Sequence, residues 1–358
     1  MRACRPGLEI PPLWGLAALR SVTYVDRTML LSRSAAVLGA ALALSLVLVA
    51  VSAGSAAAAG HITYSVGAGP LLRVEARAGA KPQDVSAGLD RRFPGGGDQF
   101  LNQSPDGKAL VLQSERFGCA GNPCLAVVSS NLEDGRAVRG GTVHVQGFSA
   151  VGNGGRVVVY PAQSSDDRVD LFVSRRTSGG WSRPRNVTAR SSMNVHGHPA
   201  ISQDSKRVLH DCGDANDPSA GTLSVCESRL DGKGTRVRVR PSDGRPPTDG
   251  VFGAGSLHHA DYLGRGKGLV FESQWCCEGE SIWWLPKGKR KPRHVRGASA
   301  NNVAPCGLPD GRVVSLDLSR PAGGGVHELM ITSPTSKKRT FVLPPGIDVN
   351  DIGIGCGR

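Results

Sequence analysis

The sequence predicts an all-β fold, a six-bladed β-propeller closed by its own two ends, and three observations carry that prediction. A turn of the type Ser104-Pro105-Asp106-Gly107 recurs ahead of short apolar runs, as in Ile201 to Asp211 and Gly307 to Asp317. Each recurrence heads a unit that reads as four strands. The chain ends supply complementary fractions of one more such unit. In these turns Pro presets the backbone angle at the second position, Asp closes the turn with its side chain, and Gly accepts the positive φ. Forty-eight Gly and 23 Pro among 358 residues, with no extended 3.6-residue stripe, agree with strands joined by tight turns.

The first 60 residues stand apart. Arg33 precedes a mostly apolar run, Ala35 to Val51, and small residues follow to Ala57-Ala58-Ala59-Gly60. That order is the n-region, h-region and cleavage site of a secretory signal peptide. Residues 29–59 are therefore expected to be the signal (uncleaved, an N-terminal anchor), and residues 1–28 an extension ahead of the natural start at Met29. No Cys follows the apolar run, which argues against a lipid anchor. Residues 60–358 are expected to form the exported propeller, with no membrane span once the signal is removed.

The repeat appears when the turns are aligned. Anchors at Ser104, Gly152, Ser202, Leu263, Leu308 and Ile354 lie 48, 50, 61, 45 and 46 residues apart. The unit from Asp98 gives strands at DQFLNQ, KALVLQSE, CLAVVSSN and around Arg136 to Arg139. Later units give VQGFSAV, RVVVYPA, VDLFVSRR and SRPRNVT; HGHPAIS, KRVLHDC, TLSVCESR and TRVRVRP; LHHADYL, KGLVFES, SIWWLPK and KPRHVRG; NNVAPCGL, RVVSLDL, VHELMITS and KRTFVLP. Second and third strands are continuous apolar runs, as expected where both faces are buried. Fourth strands such as Arg236-Val237-Arg238-Val239-Arg240 alternate charge with apolar residues, which protects an outer edge. At the ends, DVNDIGIGCGR (Asp348 to Arg358) reads as a first strand and turn, while Gly60 to Val66 begins as a second strand, followed by LLRVEARAG and QDVSAGL. The last residues should therefore complete the sheet begun at His61, making six blades with no unpaired edge.

The turns SPDGK, SQDSK and LPDGR, with DLFVSRRTSGGWSRPRNVT (Asp170 to Thr188), resemble the WD40-like (PD40) repeats of TolB-type six-bladed propellers. The resemblance covers residues 60–358 and weakens where the turns become Gly152-Asn153-Gly154-Gly155 and Gly264-Arg265-Gly266-Lys267. It implies the fold and, for most such propellers, a binding platform or a domain fused to an enzyme; a fold alone licenses no activity.

First strands and the loops joining second to third strands share one face around the channel mouth. Asp98, His196, His198, His258, His259 and Asp348 map there as binding candidates. Imidazoles and carboxylates converging in a channel could hold a divalent cation as cofactor, or act as a general base. Against this stands a purely structural role for His ahead of the turn. His258 and His259 are adjacent, so strand alternation predicts opposite directions for them. Eight of nine cysteines lie beyond residue 60. An even number suits an oxidising compartment, and the economical scheme pairs Cys119 with Cys124, Cys212 with Cys226, Cys276 with Cys277 and Cys306 with Cys356. Zinc is the rival reading, without any CxxC pair in its favour.

Other features have two readings each. The loop from Ser242 to Gly255 should overhang the mouth, either as a binding element or as a tolerated insertion. Lys287 to Arg293, the tightest basic cluster, falls on an outer hairpin as a solvated rim or a polyanion site. Trp283 and Trp284 belong to the core, and Trp275 is a candidate for stacking on a sugar. Removing residues 1–60 leaves 38 basic and 28 acidic residues, net +10, a balance suited to an anionic partner. Export and few aromatics make nucleic acid the weakest such partner. No Gly-x-Ser-x-Gly elbow occurs. The expected function is therefore a secreted or envelope-exposed monomer without catalytic residues, recognising a protein or cell-envelope polymer. A lyase acting on an acidic glycan in the channel is the alternative, and a sensor within a larger envelope assembly is a third reading.

Overall fold

The computed structural model describes residues 60–65, 70–119, 124–138, 148–165, 167–214, 222–244, 256–273, 275, 280–319, 328–342 and 353–358. The signal and extension, Asp348, Cys276, Cys277 and residues 245–255 of the long loop lie outside them. Among the described residues no helix is long and apolar enough to cross a membrane.

The described chain is an all-β propeller. Four sheets have four strands each. Three of them run outward in chain order: Asp98–Gln103, Ala109–Ser114, Cys124–Ser129 and Gly135–Ala137; Leu257–Leu263, Gly268–Ser273, Ser281–Pro286 and Arg293–His294; Asn302–Gly307, Val313–Asp317, Glu328–Thr332 and Arg339–Phe341. A nine-stranded sheet holds Val195–Ile201, Arg207–Gly213, Ser224–Arg229 and Thr235–Val239 together with Ala150–Val151, Val157–Ser165, Arg168–Thr177 and two short outer strands. Among the described residues, the parallel pair Val169↔Val195 alone joins its two halves. The remaining sheet is composite. Ile354–Gly357 lies beside His61–Ser65, which pairs with Leu71–Glu75 and then Gln83–Asp84.

Burial follows the pattern of the runs. Ala109 to Leu112 and Cys124 to Val128 are buried throughout, because both sheet faces meet neighbours. Leu101, Val111 and Val127 pack against Val151, Val158 and Tyr160 of the next sheet, and Leu209 and Val225 against Ala260, Leu269 and Phe271. Burying a side chain such as Phe271 contributes roughly 2–3 kcal/mol. Outer strands are short and less buried than the inner ones, and Lys287 to Arg293 project into solvent as a rim.

The composite sheet shows why the last strand is rich in glycine. Its register is His61↔Gly357, Ile62↔Cys356, Thr63↔Gly355 and Tyr64↔Ile354. A Cβ on Gly355 would stand 2.6 Å from the Gln103 nitrogen, and one on Gly353 2.3 Å from the Phe100 oxygen. Glycine lets this strand press against Asp98–Gln103, where a side chain would collide with backbone. The register corrects one alignment. The strand spans Ile354–Gly357, so Arg358, the residue after it, occupies the anchor position assigned to Ile354.

Two further expectations change. QDVSAGL is a strand only at Gln83–Asp84, after which Ser86–Arg92 forms a seven-residue α-helix. Its single buried residue, Leu89, leaves no periodic stripe to read, and Arg91 and Arg92 favour its C-terminal end electrostatically. The degraded turns after Gly152 and Leu263 become 3-10 turns, Asn153–Gly155 and Gly264–Gly266. Disulfides join Cys119 to Cys124, Cys212 to Cys226 and Cys306 to Cys356. The last ties two inner strands from different sheets and encloses a 50-residue separation, which in the chain-entropy account is worth about 4 kcal/mol.

Candidate functional site

The inner strands share a local irregularity that builds the site. Pairing with the second strand slips between Phe100 and Asn102, Gly197 and Ala200, His258 and Asp261, and Val303 and Cys306. Such a bulge inserts an extra residue and breaks the two-residue alternation. In three of these strands it carries a left-handed backbone without glycine: His198 at φ 42°, His259 at 49° and Ala304 at 50°. Residues other than Gly occupy this region uncommonly, Ala less often than His, so the sheet around them holds the strain.

The bulges turn side chains toward the axis, around a cavity of about 70 Å³ lined by Phe148, His198, His259, Asp261, Ala304 and Ile354 among others. The His198 and His259 rings stand 4.2 Å apart between centroids, and Phe148 packs on both, at 5.2 Å and 5.7 Å.

Two carboxylates from second strands stand behind the imidazoles. Asp211, 1% exposed, faces Gly197 across the ladder, and Glu272 faces His258. His198 Nδ1 donates to Asp211 Oδ2 at 2.5 Å, and His258 Nδ1 lies 3.6 Å from the same oxygen. His259 Nδ1 donates to Glu272 Oε1 at 2.6 Å; the Ala304 N–H donates to Oε2 at 2.6 Å. At Asp211, Glu272, His258 and His259 burial works against charge, and the partners outweigh it. Despite burial, Glu272 and Asp211 raise His259 to about 9. His258 is raised by Asp211 against the same opposing burial. Asp211 is held down at about 2 by His198 and His258, and Glu272 is lowered by His259. Asp261 differs: burial pushes it up to about 6, with only the Gly307 and Tyr262 N–H groups opposing.

The six positions expected at the channel mouth separate accordingly. His198, His258 and His259 come together. His196 does not: it is buried within its sheet, where Nε2 donates to the Met193 carbonyl at 3.1 Å and Nδ1 accepts from His210 Nδ1 at 3.3 Å. Burial first, then the neighbouring imidazole, lowers His196 to about 3, and burial lowers His210 to about 4, so both are neutral. Asp98 is engaged by Ser114 at 2.6 Å and by the Arg116 guanidinium at 2.7 Å, the latter also reaching Asp90. Asp348 lies outside the described residues. His258 and His259 both face acidic groups of this cluster, contrary to simple alternation, because the bulge intervenes between them and Asp261. Trp275 is not a stacking platform; it is buried against Phe271 and Trp283 at 5.5 Å and 5.2 Å.

Asp211 and Glu272 were absent from the sequence candidates, which came from first strands only. A signal was present: each follows its anchor, Ser202 or Leu263, by nine residues and interrupts an apolar strand, as RVLHDC and GLVFES. An acid inside an otherwise buried strand requires a partner.

No family model and no curated protein matches the chain. Solved structures do. A chain in a nidogen/laminin complex aligns with TM-score 0.53 at 12% identity, over 83% of this chain and 98% of that one. A TolB-type protein of Agrobacterium tumefaciens aligns with TM-score 0.50 at 14% identity, over 79% and 88%. TolB from Acinetobacter baumannii aligns with TM-score 0.48 at 14% identity over 86% of this chain, which spans 58% of that structure. At these identities the similarity is one of fold, the propeller.

Proposed function

We propose that this chain is an exported six-bladed propeller that acts as a binding module, without catalysis, for a protein or cell-envelope polymer. Four separate sheets and two more joined by a single bridge support six blades, and the pairing of Ile354–Gly357 with His61–Ser65 supports closure of the ring. The three disulfides among the described residues suit an extracytoplasmic compartment. The propeller in the nidogen/laminin complex offers a precedent of fold for protein recognition.

One observation carries the preference for binding over catalysis. The axial cavity is about 70 Å³, whereas small-molecule sites run to roughly 300–1,000 Å³. A uronate polymer does not fit there. Binding therefore belongs to the outer surfaces, with loops braced by Cys119–Cys124 and Cys212–Cys226 the favoured face. The test is a pull-down of the mature domain against envelope extract with and without reductant, beside an absorbance assay for unsaturated products from uronate polysaccharides. Specific capture weakened by reductant and no unsaturated product are expected; steady product formation would replace this reading with the lyase.

A further inference from the structure

We propose that His198, Asp211 and His258 form a binding site for one first-row divalent ion of the zinc class, set between adjacent inner strands of the propeller. This inference is independent of whether the outer surface binds a protein or a polymer.

The argument begins with convergence. The three side chains come from three strands of two sheets, Val195–Ile201, Arg207–Gly213 and Leu257–Leu263, and one donor atom of each lies within 4.8 Å of the others. Two imidazoles with one carboxylate form a donor set suited to zinc and its neighbours, whereas calcium and magnesium demand oxygen cages. The metal–nitrogen distance for zinc is about 2.0–2.1 Å, which places two donors across a tetrahedral ion roughly 3.3 Å apart. The present spacings of 2.5 Å and 3.6 Å from Asp211 Oδ2 bracket that value, so side-chain adjustments of under about 1 Å would open the site.

A second observation points the same way. Among the described residues, buried Asp211 Oδ1 finds no hydrogen-bond partner. A carboxylate oxygen left unpaired in this way costs about 1–3 kcal/mol, and a bound cation, directly or through a water, would satisfy it. The left-handed backbone at His198 turns its ring toward Asp211, and the Phe148 ring packs on that imidazole and restrains it. His198 also lines the axial cavity, giving a remaining coordination position access to water or one small oxygen ligand. The neighbouring His259 donates to Glu272 Oε1, so its ring is engaged outside the trio.

Zinc is the probe for the test. Full-length protein stripped by chelator and dialysed against micromolar free Zn2+ should take up one equivalent by elemental analysis. Cobalt in its place should give the visible absorption of a low-symmetry site. His258→Gln and His198→Asn should each reduce bound zinc at least tenfold while retaining the native circular dichroism. His196→Gln, outside the trio, should retain the full equivalent. Asp211→Asn should behave like the imidazole variants; should it fail to fold, the two imidazole variants decide alone. Absence of bound zinc in the unaltered protein, or undiminished uptake in folded His258→Gln and His198→Asn, would overturn the site.

Discussion

Two arcs of the same ring use one backbone device in opposite ways. At the strand Asp98–Gln103 the bulge position holds Phe100, which is buried against Leu71, Leu89 and Leu112, and the opposing second strand offers Gln113 to Gln99. At Val195–Ile201 and Leu257–Leu263 the same position, four residues before the turn anchor, holds His198 and His259, and the opposing strands offer Asp211 and Glu272. The bulge therefore belongs to the propeller, and the imidazole–carboxylate pairs are an addition to it. An apolar residue suffices to fill the space. Placing ions there instead incurs desolvation that only close pairing offsets.

Breaking the charged arc should cost most. Glu272→Leu leaves His259 and the Ala304 N–H without their acceptor and should destabilise the protein by about 3–5 kcal/mol in urea unfolding, against less than about 1 kcal/mol for Gln113→Leu in the apolar arc. If both cost the same, the contrast between arcs is wrong. The double replacement Cys306→Ser with Cys356→Ser should follow, at about 4 kcal/mol and independent of pH.

Acidity separates the arcs further. His259 has a raised value in the folded state, about 9 against an ordinary 6.5. Its contribution is thus fully present below pH about 6.5 and is lost as pH rises through 9, with a ceiling of about 3–4 kcal/mol. His259→Asn, which keeps a residue tolerant of positive φ, should flatten that limb of a stability–pH curve; an unchanged slope would assign it to another group. Smallest is Phe148→Ala, which removes ring contacts to both imidazoles and should cost about 1 kcal/mol in the same unfolding measurement.

The strands of the propeller were legible because its turns repeat. Asp98–Gln103 and Leu257–Leu263 end where the Pro-Asp-Gly rule and its degraded form place them. What escaped was whatever depends on a partner remote in sequence. His196 and His198 are two residues apart in one strand and read alike, yet one hydrogen-bonds within its sheet and the other reaches the axis, because a register slip intervenes after Gly197. Strand parity predicted that His258 and His259 diverge, and a bulge visible only in the pairing overrode it. Trp275 looked exposed beside two cysteines, but its neighbours Phe271 and Trp283 come from strands on either side of the loop. Asp211 and Glu272 were findable by asking what an acid does inside an apolar run.

The composite sheet bears on how the protein must be made. A chain emerging amino end first presents His61–Ser65 with one flank unsatisfied until Ile354–Gly357 is released, so a sheet begun early in synthesis is completed by a strand far later in the chain. Contacts this distant in sequence make folding slow and leave an edge available to other chains meanwhile. A permuted gene that places Ile354–Gly357 ahead of His61 through a short linker would convert that late, long-range encounter into a local hairpin, and should refold faster with less aggregation than the natural order.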